Sequence, residues 1–179
     1  DSRDFPMPEC FECHGGCDRN AYCSDACTSN AWSRHERHLC VGPVGGERGL
    51  AATAFVNHAK ETNDIFPLAA RVLFETAHRA ELNRFAAVAK AKASNNGSAE
   101  IEPEIDVDAC LNDAWRPYAV AHKGIWWEEV SRPADVAAGA AEVEFRNSMK
   151  EIAAESLDLL RKVLAHSDPA MHNHYPGLF

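Results

Sequence analysis

The chain is 179 residues long, 46% apolar and 25% charged, with a formal net charge of −9. That length suits one domain, or a small module joined to a larger one, and the apolar share is enough to bury a helical core. The acidic balance excludes broad nucleic-acid binding, which needs clustered Lys and Arg. No run reaches the ~18–20 apolar residues of a membrane span.

Asp1 to Pro8 is a polar, proline-punctuated lead-in, and residues 1–40 carry four arginines and no lysine against seven acids. Between Cys10 and Cys40 stand six of the seven cysteines, with His14, His35 and His38 among them. Cys10, Cys13 and Cys17 form one cluster, Cys23 and Cys27 a second, and His35, His38 and Cys40 a third. Thiolate and imidazole are the ligands zinc prefers, four at a time. Gly15 and Gly16 allow the tight turn that faces two sulfurs to one ion. From Ser24 to His38 the pattern is helical, and Cys27, Trp32, His35 and His38 share roughly one side. A disulfide framework is the competing reading. An odd cysteine count, interleaved histidines and no visible secretory or transit segment favour metal and a reducing compartment, nucleus or cytoplasm.

After Cys40 the run Val41 to Gly46 reads as a linker. Gly49 to Lys60 predicts a short amphipathic helix. Asn63 or Asp64 caps a longer one, which begins at Ile65, carries Pro67 in its first turn and runs to about Ala93. Residues 94–108 read as a flexible acidic insertion, and the sequon Asn96-Gly97-Ser98 within it as chance. Cys110, near Leu111 and Trp115, reads as a small buried thiol. Trp115, Tyr118, Trp126 and Trp127 predict an aromatic cluster, read as packing, with a ligand-binding aromatic cage as the alternative. Pro133 is placed to open the last helix, periodic from Phe145 through Val163 and stopped near Pro169. No strand alternation of useful length appears. The expected fold is mostly α, a small zinc-bound finger (residues 1–41) followed by a helical region (residues 42–179).

The run Tyr22-Cys23-Ser24-x2-Cys27-x4-Trp32-x2-His35-x4-Cys40 resembles the second half of a MYND-type zinc finger. The wider chain resembles SET-domain protein-lysine methyltransferases that carry such a finger inside a split SET domain, closest to the trithorax-related members of plants and algae. Asn57-His58-Ala59-x2-Thr62-Asn63-Asp64-Ile65-Phe66, Ala114-Trp115-x-Pro117 and Trp126-Trp127 carry that resemblance. It implies a cross-brace of one or two zinc ions. Cys13, Cys17, His35 and Cys40 hold one, with His38 as the alternative to His35; Cys23 and Cys27 serve the other, with Cys10 the one cysteine available upstream. Two spacings are one residue longer than the family's, Cys13 to Cys17 and His35 to Cys40.

The chain shows no SET signature for S-adenosylmethionine or for the active-site tyrosine. Asn57-His58 lies in helical context and reads as coincidence, so no catalytic or cofactor-binding residue is assigned. The expectation is a stretch of a larger enzyme, inactive by itself, whose complete parent uses S-adenosylmethionine on histone or other lysines. The alternative is a free-standing MYND-type adaptor that binds peptides of partner proteins.

Overall fold

A computed structural model describes residues 10–43, 45–94, 104–120 and 124–178. The lead-in before Cys10, the sequon and most of the 94–108 insertion lie outside the described residues. The architecture is mostly α. A two-stranded antiparallel pairing opens it, β1 (Phe11–Glu12) with β2 (Ala21–Tyr22), Phe11 opposite Tyr22. These strands are too short to leave an alternating pattern, which is why the sequence does not announce them.

Ser24 starts α1 (Asp25–Ala31): its backbone is extended and its hydroxyl accepts the Cys27 amide at 3.2 Å, as an N-cap should. A π-helical turn (Trp32–Glu36) and the short α2 (Arg37–Leu39) follow. The body consists of α3 (Gly46–Thr62), α4 (Ile65–Ser94), α5 (Val107–Ala119), α6 (Trp126–Glu129), α7 (Ala140–Ser167) and α8 (Pro169–His174).

The helix expected from Gly49 begins three residues earlier, at Gly46. The start of α4 is as read: Asn63 Oδ1 accepts the Ile65 amide at 3.0 Å, and Pro67 sits in the first turn, where a missing N–H costs little. The last long helix departs from expectation. It opens at Ala140 rather than at Pro133, because Gly139 has φ +88°, a left-handed conformation that ends any helical run from the proline. Pro169, expected only as a stop, also opens α8, whose cap is the Asp168 carboxylate accepting the Met171 amide at 3.0 Å.

The core lies where α3, α4 and α7 meet. Phe55, Phe66, Phe74, Leu160, Val163 and Leu164 are buried there, with Ala52, Ala70, Ala77 and Ala80 letting helix axes approach closely. Each large apolar side chain stabilises by about 1.5–3 kcal/mol. Two polar groups in the core find partners: Thr76 returns its hydroxyl to the Val72 carbonyl (2.8 Å), and Ser156 meets His58 Nε2 across the α3–α7 contact (2.8 Å). His58 of the Asn-His pair is thus a helix-packing contact of α3 with α7. Cys110 is buried on α5. The expected aromatic cluster is divided. Trp115 lies beside Tyr118 (5.8 Å), whereas Trp126 meets Phe66 edge-on (5.7 Å).

The finger is seated on this body through its last helical turn. His38 is fully buried, its ring stacked on Phe74 of α4 at 4.6 Å and its Nδ1 2.7 Å from Ser167 Oγ of α7. Arg37 pairs with Asp168 at 3.0 Å.

Candidate metal centre

Three of the eight predicted ligands converge. Cys13, Cys17 and Cys40 are buried, and their sulfurs all lie within 4.8 Å of one another, Cys13 to Cys40 being 3.7 Å. Among the described residues no other His, Cys, Asp or Glu joins this group. The convergence is built by turns. Gly16, at φ +68°, donates its amide to the Cys13 carbonyl (2.8 Å), and that tight turn returns Cys17 to the side of Cys13. Helix α1, the π turn and α2 then carry the chain back to Cys40.

The cradle around the sulfurs is backbone. The Gly15 amide approaches Cys13 Sγ at 3.4 Å, and the Gly42 amide approaches Cys40 Sγ at 3.3 Å. A side chain at Gly15 would run into Cys40 Sγ and the Trp32 ring, and one at Gly42 into the Gly15 carbonyl. Trp32 and Tyr22 close the outside.

Burial pushes the Cys13 thiol up to about 12, and the neighbouring Cys17 and Cys40 sulfurs add to the effect. For Cys17 burial acts the same way, but amide donors at Arg19 and Asn20 and the two other thiols outweigh it, so its thiol stands below its ordinary value. Three buried thiols this close cannot all ionise without a counter-charge. A soft divalent cation supplies that charge, and amide donors aimed at the sulfurs favour the thiolate form. The donor set therefore fits a structural zinc, which takes four protein ligands and keeps no open position.

The remaining predicted ligands are placed differently. Cys23 and Cys27 come together at 3.4 Å across the start of α1, exposed, with the Ser24 and Cys23 side chains holding the Cys27 thiol below its ordinary value. Cys10 is exposed and belongs to no three-ligand group among the described residues. His38 faces the body: beside Ser167 on Nδ1, Arg37 Nε stands 3.0 Å from its Nε2. Burial, with Arg37 and Arg48 nearby, brings it down to about 3, so its ring is neutral. His35 is only slightly exposed, and its Nδ1 is buried without a hydrogen bond, 3.3 Å from Glu36 Oε1. Sequence reasoning missed Glu36, a carboxylate only 2% exposed, and its partners Asn20 and Arg71. A lone Glu amid charged residues carries no signal of burial.

The π turn is the other feature not foreseen. The Arg37 amide reaches the Trp32 carbonyl five residues back. This wider turn admits one more residue between Trp32 and Cys40 than a regular helix would, and such turns gather at functional sites.

Fold and site define a mostly α protein with a cysteine cluster that fits a zinc finger at one end. The chain is 33% identical over 158 residues to the histone-lysine N-methyltransferase ATXR2 of Arabidopsis thaliana. That match takes in 88% of this chain and 31% of the relative, so the chain spans about a third of the relative's length. No family model matches the chain, and no solved structure matches it. Among the described residues no helix is long and apolar enough to cross a membrane.

Proposed function

We propose that this chain is the zinc finger and adjoining helical region of a SET-domain histone-lysine methyltransferase of the nucleus. Residues 1–41 form the finger, of MYND type, and residues 42–179 the helical region. The carrying observation is the 33% identity to a histone-lysine methyltransferase along most of the chain, supported by the buried three-thiol group at the position of the finger. In this reading Cys13, Cys17 and Cys40 hold a structural zinc with His35 as the fourth ligand. Cys23 and Cys27 serve a second zinc, with Cys10 as their upstream partner. Bound zinc supplies a cross-link between loop and helix and no bond-making chemistry. The finger's own residues position segments and offer surface to protein partners. Binding of S-adenosylmethionine and transfer to lysine belong to the complete parent.

Two measurements test this. The 179-residue chain, purified under reducing conditions, should carry one or two zinc ions and show no saturable S-adenosylmethionine binding by calorimetry. On this reading the full-length protein carries SET motifs outside these 179 residues and should methylate histone lysines. Zinc-free protein with intact disulfides would overturn the metal assignment. A parent reading frame without SET motifs would overturn the enzyme class and leave an adaptor.

A further inference from the structure

Glu36 is the least expected residue near the thiols. Its carboxylate is almost fully buried and accepts from Asn20 Nδ2 at 2.8 Å and from Arg71 Nη2 at 3.3 Å. His35 Nδ1 stands 3.3 Å from the same Oε1 that Arg71 touches, angled off a hydrogen bond in this conformation. A carboxylate has about four lone-pair positions, so three donors do not saturate it. Glu36, Asn20 and Arg71 share a cavity of about 80 Å³ with Cys17 and Cys40. In a regular helix, neighbours i and i+1 point apart. The π turn takes a smaller angular step per residue, which lets His35 and Glu36 face each other.

We propose that Glu36 is the positioning residue of the metal site: its carboxylate takes the Nδ1–H of His35 and so presents Nε2 as the fourth ligand beside Cys13, Cys17 and Cys40. A neutral imidazole carries one proton, and the group bonded to one nitrogen decides which nitrogen is left to ligate. Carboxylate–histidine pairs of this kind orient metal ligands and raise their basicity. Asn20, from the loop between Cys17 and Cys23, and Arg71, from α4, hold the carboxylate in turn. The inference rests on the proposed reading of the three thiols as a zinc site with His35 as its fourth ligand; in this structure His35 stands outside the three-thiol group.

The experiment uses the zinc-loaded 179-residue chain. Cys40→Ser tests the zinc site itself. If zinc content is unchanged in that variant, the site and this inference both fall. With zinc lost in Cys40→Ser, a long-range proton–nitrogen spectrum of the unaltered protein should show His35 metal-bound at Nε2 and protonated at Nδ1. Coordination through Nδ1, or an unbound His35, overturns the proposal and leaves the thiol site standing. Glu36→Gln should speed zinc transfer to a chromophoric chelator by about 10–100-fold. Arg71→Met, which removes the tie to α4 and the Arg71–Asn20 hydrogen bond but leaves the carboxylate beside His35 and held by Asn20, should speed it by no more than about fivefold, the worth of a half-exposed ion pair. Equal effects of the two variants would make Glu36 a tether between finger and body, and would overturn its positioning role.

Discussion

Cys40 and His38 lie two residues apart, yet their side chains serve opposite faces of one short segment. Cys40 joins Cys13 and Cys17, while His38 packs on Phe74 and bonds Ser167. Substitutions should separate the two roles. Cys40→Ser removes a ligand from a site with no spare, and zinc content should fall by the whole of that site. Cys23→Ser acts on an exposed pair that belongs to no three-ligand group among the described residues, so it should cost less zinc than Cys40→Ser and little stability. His38→Ala opens a cavity against α4 and should cost about 2–4 kcal/mol in denaturant unfolding while zinc stays bound. Zinc loss from a folded His38→Ala protein would place His38 in the ligand set.

At the scale of elements, the C-terminal part of the chain is clamped to α4 by one carboxylate. Glu81 accepts from Arg84 within its own helix (3.0 Å) and stands 2.9 Å from His174 Nδ1 of α8. Burial raises the Glu81 carboxyl, but Arg84 and His174 outweigh it and hold it below the usual carboxylate range. A group with a depressed folded value stabilises above its unfolded pKa of ~4.3, and loses that contribution as pH falls through the folded value. Glu81→Gln should therefore be less stable than the unaltered chain by about 1–3 kcal/mol at pH 7. The difference should shrink below pH ~4. Thermal unfolding of both proteins from pH 7 to pH 3 checks this, and a gap that stays constant with pH would sink the clamp.

Across the whole molecule, two cores of different kinds adjoin. The body is held by apolar burial among α3, α4 and α7, and the finger by its sulfurs with Tyr22 and Trp32 around them. Ligand binding supplies folding free energy where there is little apolar area to bury. Strong chelation should thus release residues 10–40, seen as loss of Trp32 burial and fast amide exchange there. Most of the helical signal should survive. Because His38 and Arg37 are fastened to α4 and α7, the body's melting point should also drop by several degrees, as about 1 kcal/mol does in a chain of this size. Complete loss of helix on chelation would show one cooperative unit instead of two.

Much of this was written in local pattern. Cysteine spacing marked the finger, Ser24 its helix start, and Asn63 with Pro67 the start of α4, because caps and ligand spacings act over a few residues. The mostly α class followed from apolar repeats at three and four. Other features were decided only by the fold. That His38 packs into the body depends on Phe74, 36 positions beyond it in the chain, and on Ser167 of α7. The burial of Glu36 depends on Arg71 arriving from α4, and the late opening of α7 on the backbone of Gly139. Ligand types and caps are properties of short segments. The facing of a side chain is settled by what distant segments bring against it, and no local pattern records that.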